Sequence, residues 1–586
     1  MKHHGHTTSD QISTLTIVHD RGVTSPQTPA ATFSATLADE LVRGGVRHVV
    51  VSPGSRSTPL ALALADRPEL RIHVFHDERS ASFAALGVGL ATGGPAVVVC
   101  TSGTAAAQMH AAVIEAHQAE VPLVVCTADR PPELREVGAP QTIDQAGLYG
   151  SVVRYFVDPG APDDAMALWW RPMVSRALAD ATTPWPGPVH LNLPFRDPLV
   201  GRPGPLPAGR PGGAPWYQPS AGARVLDPDA LEVVARALDR QRGVIVAGAG
   251  AGDPEAVHDL AAVAGWPVLA DPPSGCRVPR PNTVATFDDL LRHPGFAADH
   301  TPEVVLRLGR PPASKVLAQW LAASGAEQVQ VTASAAWVDP EATAARRLVA
   351  DPTALCRDLS KRLSGGARTP WAARWRRAEE QAQGAIAEVV GGYDRPTEPG
   401  LARALVAALP DGSTLVSSSS MPVRDVEWYA APRDGVRHLA NRGANGIDGV
   451  VSTAVGVAVA TGRPTALLIG DIALLHDTNG LLGLRAREAD LTVVVVDNDG
   501  GAIFSFLPQA GALEPARFEQ LFGTPHGVDT LALAAAHGLP TAELERLDDL
   551  ARVVGGGPRV VRVRTDRVDN VAVHQAIHDA VSAVLG

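Results

Sequence analysis

The sequence predicts an α/β protein made of three domains, each a doubly wound parallel sheet. Three observations lead there. Between residues 33 and 199, short apolar runs (VRHVVVSPG, RIHVFHDE, PAVVVCTSG, VPLVVCTAD, PVHLNLP) alternate with helical patterns, and the alternation returns after Leu226 and again after Leu401. Strands that alternate with helices build parallel sheets covered on both faces. The Pro/Gly-rich stretches 201–222 and DRPTEPG punctuate the chain, as linkers do. Finally, 586 residues exceed what a single hydrophobic core serves. The expected division is a flexible leader over 1–30, an α/β domain over 31–200, a linker over 201–224, a central α/β domain over 225–365, a helical connection over 366–400 and a third α/β domain over 401–586.

Composition excludes several function classes. The net charge is −11 and no basic stripe appears, which argues against a nucleic-acid partner. Lysines occur only at Lys2, Lys315 and Lys361, so nearly all positive charge is arginine. Cys100, Cys126, Cys276 and Cys356 are scattered without a CxxC pair, the pattern of a reduced, cytoplasmic protein. No run approaches eighteen uninterrupted apolar residues, so no membrane span is expected. The start MKHHGHTTSDQISTLTIVHD has no signal-peptide apolar core. Its His3, His4 and His6 read as a disordered leader, with metal capture as the other reading.

In the third domain, the stretch 466–508 organises the rest. An apolar run over 466–469 ends in Gly470-Asp471, about fifteen residues of helical pattern follow, and the run over 492–496 ends in Asp497-Asn498-Asp499-Gly500-Gly501. Strand, crossover helix and strand place both polar ends at the carboxyl edge of a buried sheet, where open α/β folds bind ligands. A carboxylate (Asp471), an amide oxygen (Asn498) and a bare glycine carbonyl (Gly500) are hard oxygen donors, a set suited to Mg²⁺. Ordinary strand-end turn residues are the alternative. The apolar helix over 450–460 is expected beside this unit.

The first domain offers a second group. His76-Asp77-Glu78-Arg79-Ser80 follows the run RIHVF and opens a helix, so Asp77 and Glu78 either face a ligand or complement the helix macrodipole. In Thr101-Ser102-Gly103-Thr104, glycine admits a close backbone approach to a ligand, while the hydroxyls also serve as N-caps. Three arginine motifs sit beside predicted strand ends: Ser55-Arg56 in PGSRSTP, Ser420-Met421-Pro422-Val423-Arg424, and Arg442 in NRGANGIDG. Guanidinium forks match carboxylates bidentately, so together they suggest a pocket for a multiply anionic substrate.

The central domain opens with GVIVAGAGAGDPEAVHDL, which imitates a dinucleotide fingerprint through Gly248, Gly250 and Asp271. The third glycine position falls on Asp253, whose carboxylate would oppose a pyrophosphate at the helix N-terminus. The loop therefore reads as a tight strand–helix turn, with an NAD-dependent oxidoreductase as the reading from another class.

Gly470-Asp471 followed by Asp497-Asn498 resembles the diphosphate–Mg²⁺ motif of thiamine diphosphate (ThDP) enzymes, with Ile472 and Asp497 departing from the residues many members carry. The motifs PGSRSTPL, HDERSASFAALG, TSGTA, TADRPPEL, NRGANGIDG and DNDGGAIFSFLP, with the Gln141 segment, resemble the 2-succinyl-5-enolpyruvyl-6-hydroxy-3-cyclohexene-1-carboxylate synthase family of menaquinone biosynthesis. The resemblance implies three domains of the ThDP-binding fold: pyrimidine-binding, central and diphosphate-binding. It implies ThDP and Mg²⁺, with Mn²⁺ as the alternative ion, held through Asp471, Asn498 and Gly500. It implies Glu78 as the acid that activates the cofactor. Thr101, Ser102, Gly103, Gly470, Ile447, Ile503 and Phe504 would lie against the cofactor. Ser55, Arg56, Gln141, Lys315, Ser420, Arg424 and Arg442 would contact substrate, and Arg56, Gln141, Arg424 and Arg442 would share in catalysis. Val316 stands where some relatives carry a second cation. The implied reaction decarboxylates 2-oxoglutarate and adds the four-carbon carbanion equivalent in 1,4 fashion to isochorismate. The implied assembly is a homodimer or tetramer in which Glu78 of one chain serves a cofactor held by Asp471 of another. Within ThDP enzymes, an acetohydroxyacid-synthase-like carboligase or a simple 2-oxoacid decarboxylase would need an apolar acyl pocket, against which the arginines argue. A catalytically silent relative would have no need of Glu78 and the metal set.

Overall fold

The computed structural model describes residues 25–218, 222–363 and 370–586; the histidines of the leader lie outside the described residues. It contains three six-stranded parallel sheets. The first comprises β1 (His48–Val51), β2 (Arg71–Val74), β3 (Ala96–Cys100), β4 (Leu123–Asp129), β5 (Tyr155–Val157) and β6 (Pro188–Pro194) in the order β2-β1-β3-β4-β6-β5. The second comprises β7 (Gly243–Ala247), β8 (Val268–Ala270), β9 (Thr283–Val284), β10 (Val304–Leu308), β11 (Glu327–Thr332) and β12 (Ala344–Val349) in the order β12-β11-β10-β7-β8-β9. The third comprises β13 (Ser413–Ser417), β14 (Val436–Leu439), β15 (Thr465–Gly470), β16 (Leu491–Asp497), β17 (Thr541–Glu543) and β18 (Arg559–Arg564) in the order β14-β13-β15-β16-β18-β17. The first and third sheets thus share one winding. Each reverses direction between its first and third strands, which opens a crevice at that carboxyl edge.

Central strands such as β16 (LTVVVVD) are buried over almost their whole length, which is why they read as continuous apolar runs rather than alternating ones. In register, Thr465 of β15 faces Leu491 of β16 and Gly470 faces Val496, so Asp471 and Asn498 leave the sheet side by side.

The crossover between β15 and β16 differs from the expected single helix. It is a short helix, Asp471–His476, followed by 3₁₀ turns at Thr478–Leu481 and Arg485–Arg487. Asp477 stops the helix because its carboxylate is drawn to Ser452 N (2.7 Å), Ser452 Oγ (3.0 Å) and Ser80 Oγ (3.1 Å). Gly483, at φ +71°, then prevents a restart.

The first and third domains share one apolar core, in which Phe83, Leu86 and Val88 of helix Glu78–Thr92 pack with Val450, Ala454 and Val457 of helix Val450–Thr461. Glycines let these helices approach backbone to backbone. A Cβ on Gly87 would lie 2.1 Å from the Thr453 carbonyl oxygen, and one on Gly456 would lie 2.0 Å from that of Ala84.

Helix Trp371–Gly391 buries Trp371, Trp375, Ala378, Ala382 and Ile386, one stripe at helical spacing. That stripe joins the core of the second sheet together with Val573, Ile577 and Val581 of the C-terminal helix Arg567–Leu585. Residues 201–218 run along the first domain: Arg43 donates to the Arg210 carbonyl (3.0 Å), and Trp216 N donates to Glu40 (2.5 Å). Among the described residues no helix is long and apolar enough to cross a membrane.

Candidate active site

A cavity of about 340 Å³ opens at the carboxyl edge of the third sheet, at its reversal point. It is lined by ten residues singled out from sequence: Ser420, Arg424, Arg442, Ile447, Gly470, Asp471, Asn498, Gly500, Ile503 and Phe504. Asp471 is 1 % exposed. Its Oδ2 accepts from Asn498 N (3.1 Å) and Gly500 N (3.0 Å), and its Oδ1 accepts from Ile472 N (2.6 Å). Burial raises its pKa against the pull of these amides, so a nearby cation would find a carboxylate whose charge is poorly solvated.

The backbone around Asp471 is shaped for a ligand. Asp499 has φ +55° and Gly500 φ +147°; a Cβ on Gly500 would meet the Gly523 carbonyl oxygen at 2.0 Å. Asn498 Oδ1 is buried and has no hydrogen-bond partner among the described residues. An orphaned amide oxygen beside a buried carboxylate is the arrangement a hard divalent cation satisfies. The donor set therefore fits Mg²⁺ or Mn²⁺.

Across the cavity, Ser420 is held at φ +78°, a conformation costly for a non-glycine residue. Arg424 donates to the Ser420 carbonyl (2.6 Å), and burial and then Arg442 lower the Arg424 pKa. Two cations sharing one partly buried wall form a receptor for anionic groups. Glu115, from the first domain, accepts from Gly443 N (2.7 Å) and Ala444 N (2.6 Å) and so fixes the loop that carries Arg442. Lys315 is exposed at the start of helix Lys315–Ala323, outside the cavity lining. The turn before it is tied to the helix of Arg424, since Ala313 N and Ser314 N donate to Glu427 Oε1 (2.7 and 3.1 Å).

The other predicted residues gather at the reversal point of the first sheet instead. A Cβ on Gly54 would lie 2.2 Å from Thr101 Cβ, which brings the Ser55-Arg56 loop against Thr101-Ser102-Gly103. Gln141, at φ +56°, donates to the Ser102 carbonyl (3.1 Å), and Ser102 Oγ donates to the Gln141 carbonyl (3.1 Å). Gly103 N donates to Gln145 Oε1 (2.8 Å). Arg56 donates to the Phe195 carbonyl (2.9 Å), and its Nε is buried without a partner among the described residues. Glu78 is partly buried at the first turn of its helix. Its neighbours are committed to the domain seam: Asp77 accepts from Asn479 Nδ2 (2.7 Å) and Arg79 donates to the His476 carbonyl (2.7 Å). None of Ser55, Arg56, Glu78, Thr101, Ser102, Gly103 and Gln141 lines the cavity of the third domain. Within one chain the predicted residues therefore gather in two separate places.

Four residues that sequence reasoning passed over belong here. Arg130, within TADRPPEL, donates to Ser102 Oγ, and burial and then the charge of nearby Arg56 lower its pKa. Glu115 lies in helix His110–Ala119 and Glu398 at the end of the helical connection expected over 366–400, where a lone acidic residue carries no signal. His526 places Nε2 3.4 Å from Asp471 Oδ2, and Asp471, Asp497 and His526 have ligand atoms within 4.8 Å of one another. A His in TPHG carries no local signal of that proximity.

At the central reversal point the glycine loop after β7 is not shaped to cradle a pyrophosphate. A Cβ on Gly248 would lie 1.7 Å from the Arg310 carbonyl oxygen, so this glycine serves a backbone crossing. Asp253 itself caps the following helix, accepting from Glu255 N (3.1 Å), and pairs with Arg357 (2.8 Å). The place of an anion is thus already taken by a carboxylate.

Comparison with known proteins agrees with this geometry. Three family descriptions match in succession: "Thiamine pyrophosphate enzyme, N-terminal TPP binding domain" over residues 31–148, "Middle domain of thiamine pyrophosphate" over 214–416, and "Thiamine pyrophosphate enzyme, C-terminal TPP binding domain" over 426–561. The fold is also that of a Rhodococcus jostii thiamine diphosphate-dependent 4-hydroxybenzoylformate decarboxylase, with a TM-score of 0.72 at 18% identity over 91% of this chain and 99% of that one. These define the class as a ThDP enzyme.

Closer relatives narrow it. The 2-succinyl-5-enolpyruvyl-6-hydroxy-3-cyclohexene-1-carboxylate synthases of Chloroflexus aurantiacus (44% identical, 94% of this chain and 96% of the relative) and Thermobifida fusca (45%, 95% and 100%) align almost end to end. The same holds for that of Myxococcus xanthus (43%, 94% and 98%). The chain belongs to the 2-succinyl-5-enolpyruvyl-6-hydroxy-3-cyclohexene-1-carboxylate synthase family.

Proposed function

We propose that the protein decarboxylates 2-oxoglutarate and adds the four-carbon fragment in 1,4 fashion to isochorismate, as a ThDP- and divalent-metal-dependent transferase of menaquinone biosynthesis. The observation that carries this reading is the third-domain cavity, which joins a metal-type donor set to a cationic wall in a chain of this family. Asp471, Asn498 Oδ1 and the Gly500 carbonyl would hold Mg²⁺ or Mn²⁺ against the cofactor diphosphate. Ile447, Ile503 and Phe504 give the cavity an apolar shoulder for the cofactor rings. When bound, ThDP supplies the carbon nucleophile that takes up the acyl fragment of a 2-oxoacid.

This chain's residues do the rest. Arg424 and Arg442 bind carboxylates of donor and acceptor, and their partial burial keeps water from screening the attraction. Ser420 and Lys315 add contacts at the rim. Glu78 would present its carboxyl to a ring nitrogen of the cofactor pyrimidine, and Thr101, Ser102 and Gly103 would lie against that ring. Arg56, Ser55 and Gln141 complete the substrate-binding surface on the same edge.

Because the two half-sites of one chain do not share a cavity, we assign the working site to two chains, with the first domain of one facing the third domain of another. That makes a homodimer the smallest active unit, with a tetramer as a pair of such dimers. The test is consumption of isochorismate in the presence of 2-oxoglutarate, ThDP and Mg²⁺, for the wild type and Glu78→Gln. Consumption that requires all four components and collapses in Glu78→Gln supports the reading. Release of CO₂ from 2-oxoglutarate without loss of isochorismate would show the acceptor to be wrong.

A further inference from the structure

We infer that Glu398 is a positioning residue for the metal site: it fixes the side-chain amide of Asn498 so that oxygen, not nitrogen, faces the ion. The inference rests on the reading of Asp471, Asn498 and Gly500 as metal-binding, and it adds a residue outside that set.

An asparagine amide has two ends of nearly equal size. Only one end carries lone pairs for a cation, while the other presents two N–H donors. A metal site built on asparagine therefore needs a device that selects the orientation. Here Asn498 Nδ2 donates to Glu398 Oε1 at 2.9 Å, and Thr565 Oγ1 donates to the same oxygen at 2.9 Å. Glu398 is 3 % exposed and Asn498 9 % exposed, so both side chains are held in the cavity wall with little surface open to water. With nitrogen committed to Glu398, Oδ1 is turned to the opposite side and is left buried without a hydrogen bond among the described residues.

The backbone supports the arrangement. Asn498 N donates to Asp471 Oδ2 (3.1 Å), which sets the side chain beside the other ligand. Glu398 opens helix Glu398–Ala408, where Thr397 Oγ1 caps the first turn through Gly400 N (3.1 Å). The carboxylate is thus free to turn inward instead of capping its own helix. Burial and the neighbouring Asp425 push the Glu398 carboxyl up to about 7. In either protonation state Oε1 keeps a lone pair for Nδ2, so the orienting role does not depend on its charge.

The experiment measures Mn²⁺ binding by loss of the free-ion electron paramagnetic resonance signal, in the presence of ThDP and without substrate. Glu398→Leu keeps the volume and removes the acceptor, which frees the amide to turn its nitrogen toward the ion; Mn²⁺ affinity is expected to fall by roughly 10- to 100-fold. Glu398→Gln keeps an acceptor and is expected to bind within a few-fold of wild type. A carboxylate has no wrong end, so adding Asn498→Asp to Glu398→Leu is expected to recover most of the loss. Wild-type affinity in a folded Glu398→Leu protein overturns the inference and leaves the metal reading standing. A loss in Glu398→Gln as large as in Glu398→Leu also overturns it, because charge and not orientation would then be the cause. If Glu398→Leu fails to fold, Glu398→Met, of similar volume and also without an oxygen acceptor, decides the same question when compared with and without Asn498→Asp. Absence of Mn²⁺ binding to the wild type, or binding unchanged by Asp471→Asn, overturns the metal reading itself and the inference with it.

Discussion

A single methyl group placed at the seam between the first and third domains should cost stability, although the same change elsewhere adds it. Gly87 lies inside helix Glu78–Thr92, where alanine is intrinsically favoured over glycine by about 1 kcal/mol. Its Cβ, however, would stand 2.1 Å from the Thr453 carbonyl oxygen of helix Val450–Thr461. That neighbour is backbone and cannot rotate away, so the helices must part by roughly 1 Å before van der Waals contact is restored. Overpacking of this kind costs roughly 1–3 kcal/mol, more where both partners are rigid. The balance for Gly87→Ala is a net loss of up to about 2 kcal/mol, or a fall in melting temperature of up to roughly 8 °C for a unit of one to two hundred residues.

Gly384 supplies the control. It lies inside helix Trp371–Gly391, and a Cβ there meets nothing within 4 Å. Gly384→Ala should therefore raise the melting temperature by roughly 2–4 °C. Thermal unfolding followed by circular dichroism on both proteins gives the comparison. If the two substitutions shift the transition in the same direction, the close approach of the two helices is not what sets the seam.

Other consequences are sharper on function. Asp471→Asn should abolish Mn²⁺ binding in the presence of ThDP while leaving the circular dichroism spectrum largely unchanged, because the amide oxygen can still accept from Asn498 N and Gly500 N and only the bond from Ile472 N is lost. Arg424→Leu and Arg442→Leu should each lower kcat/KM by roughly 10- to 200-fold, the loss of a charged contact of about 1.5–3 kcal/mol, with the measurement made separately against each substrate. Ser420→Gly should relieve the strain at φ +78° and raise stability by about 1 kcal/mol, read from the melting temperature. Burial lowers His190 and His438 from 6.5 to about 3. Their unfolded forms bind more protons between those values, so stability is fully present above about pH 6.5 and is lost as pH falls toward 3, at up to about 1.4 kcal/mol per pH unit for each. Chemical denaturation of His438→Gln between pH 7 and pH 5 should show a shallower fall than the wild type.

Much of the fold was legible in the chain because buried parallel strands write themselves as continuous apolar runs. The segments VVVC, VVCTAD and TVVVV stand out without any partner in view. The two edge strands of the third sheet did not: β17 (Thr541–Glu543) and β14 (Val436–Leu439) are short and only partly buried, so periodicity had nothing to report. The crossover after Asp471 looked helical for about fifteen residues because its leucines have helical spacing. Three hydrogen bonds to Asp477, one of them from Ser80 in another domain, break it early.

The same division holds at the site. Residues at strand ends were found from sequence because the carboxyl edge of a parallel sheet is a position a pattern can mark, and Asp471, Asn498, Ser420 and Arg442 do lie around one cavity. Glu398 was hidden in DRPTEPG, where proline and glycine announce a connector and an acidic first turn is ordinary. Only the packing of helix Glu398–Ala408 against β18 and β16 brings it to Asn498, a hundred residues on in the chain. His526 likewise reaches Asp471 through a loop whose course is fixed by Asp499, which accepts from His526 N and Gly527 N (2.9 and 2.8 Å). By itself, then, the sequence determined the buried strands and the polar turns at their carboxyl ends, since these depend on burial pattern and local backbone. The tertiary structure alone decided which long-range neighbours stand beside those turns and that the predicted residues gather in two places, since hydrogen bonds between distant segments leave no periodic trace in the chain that makes them.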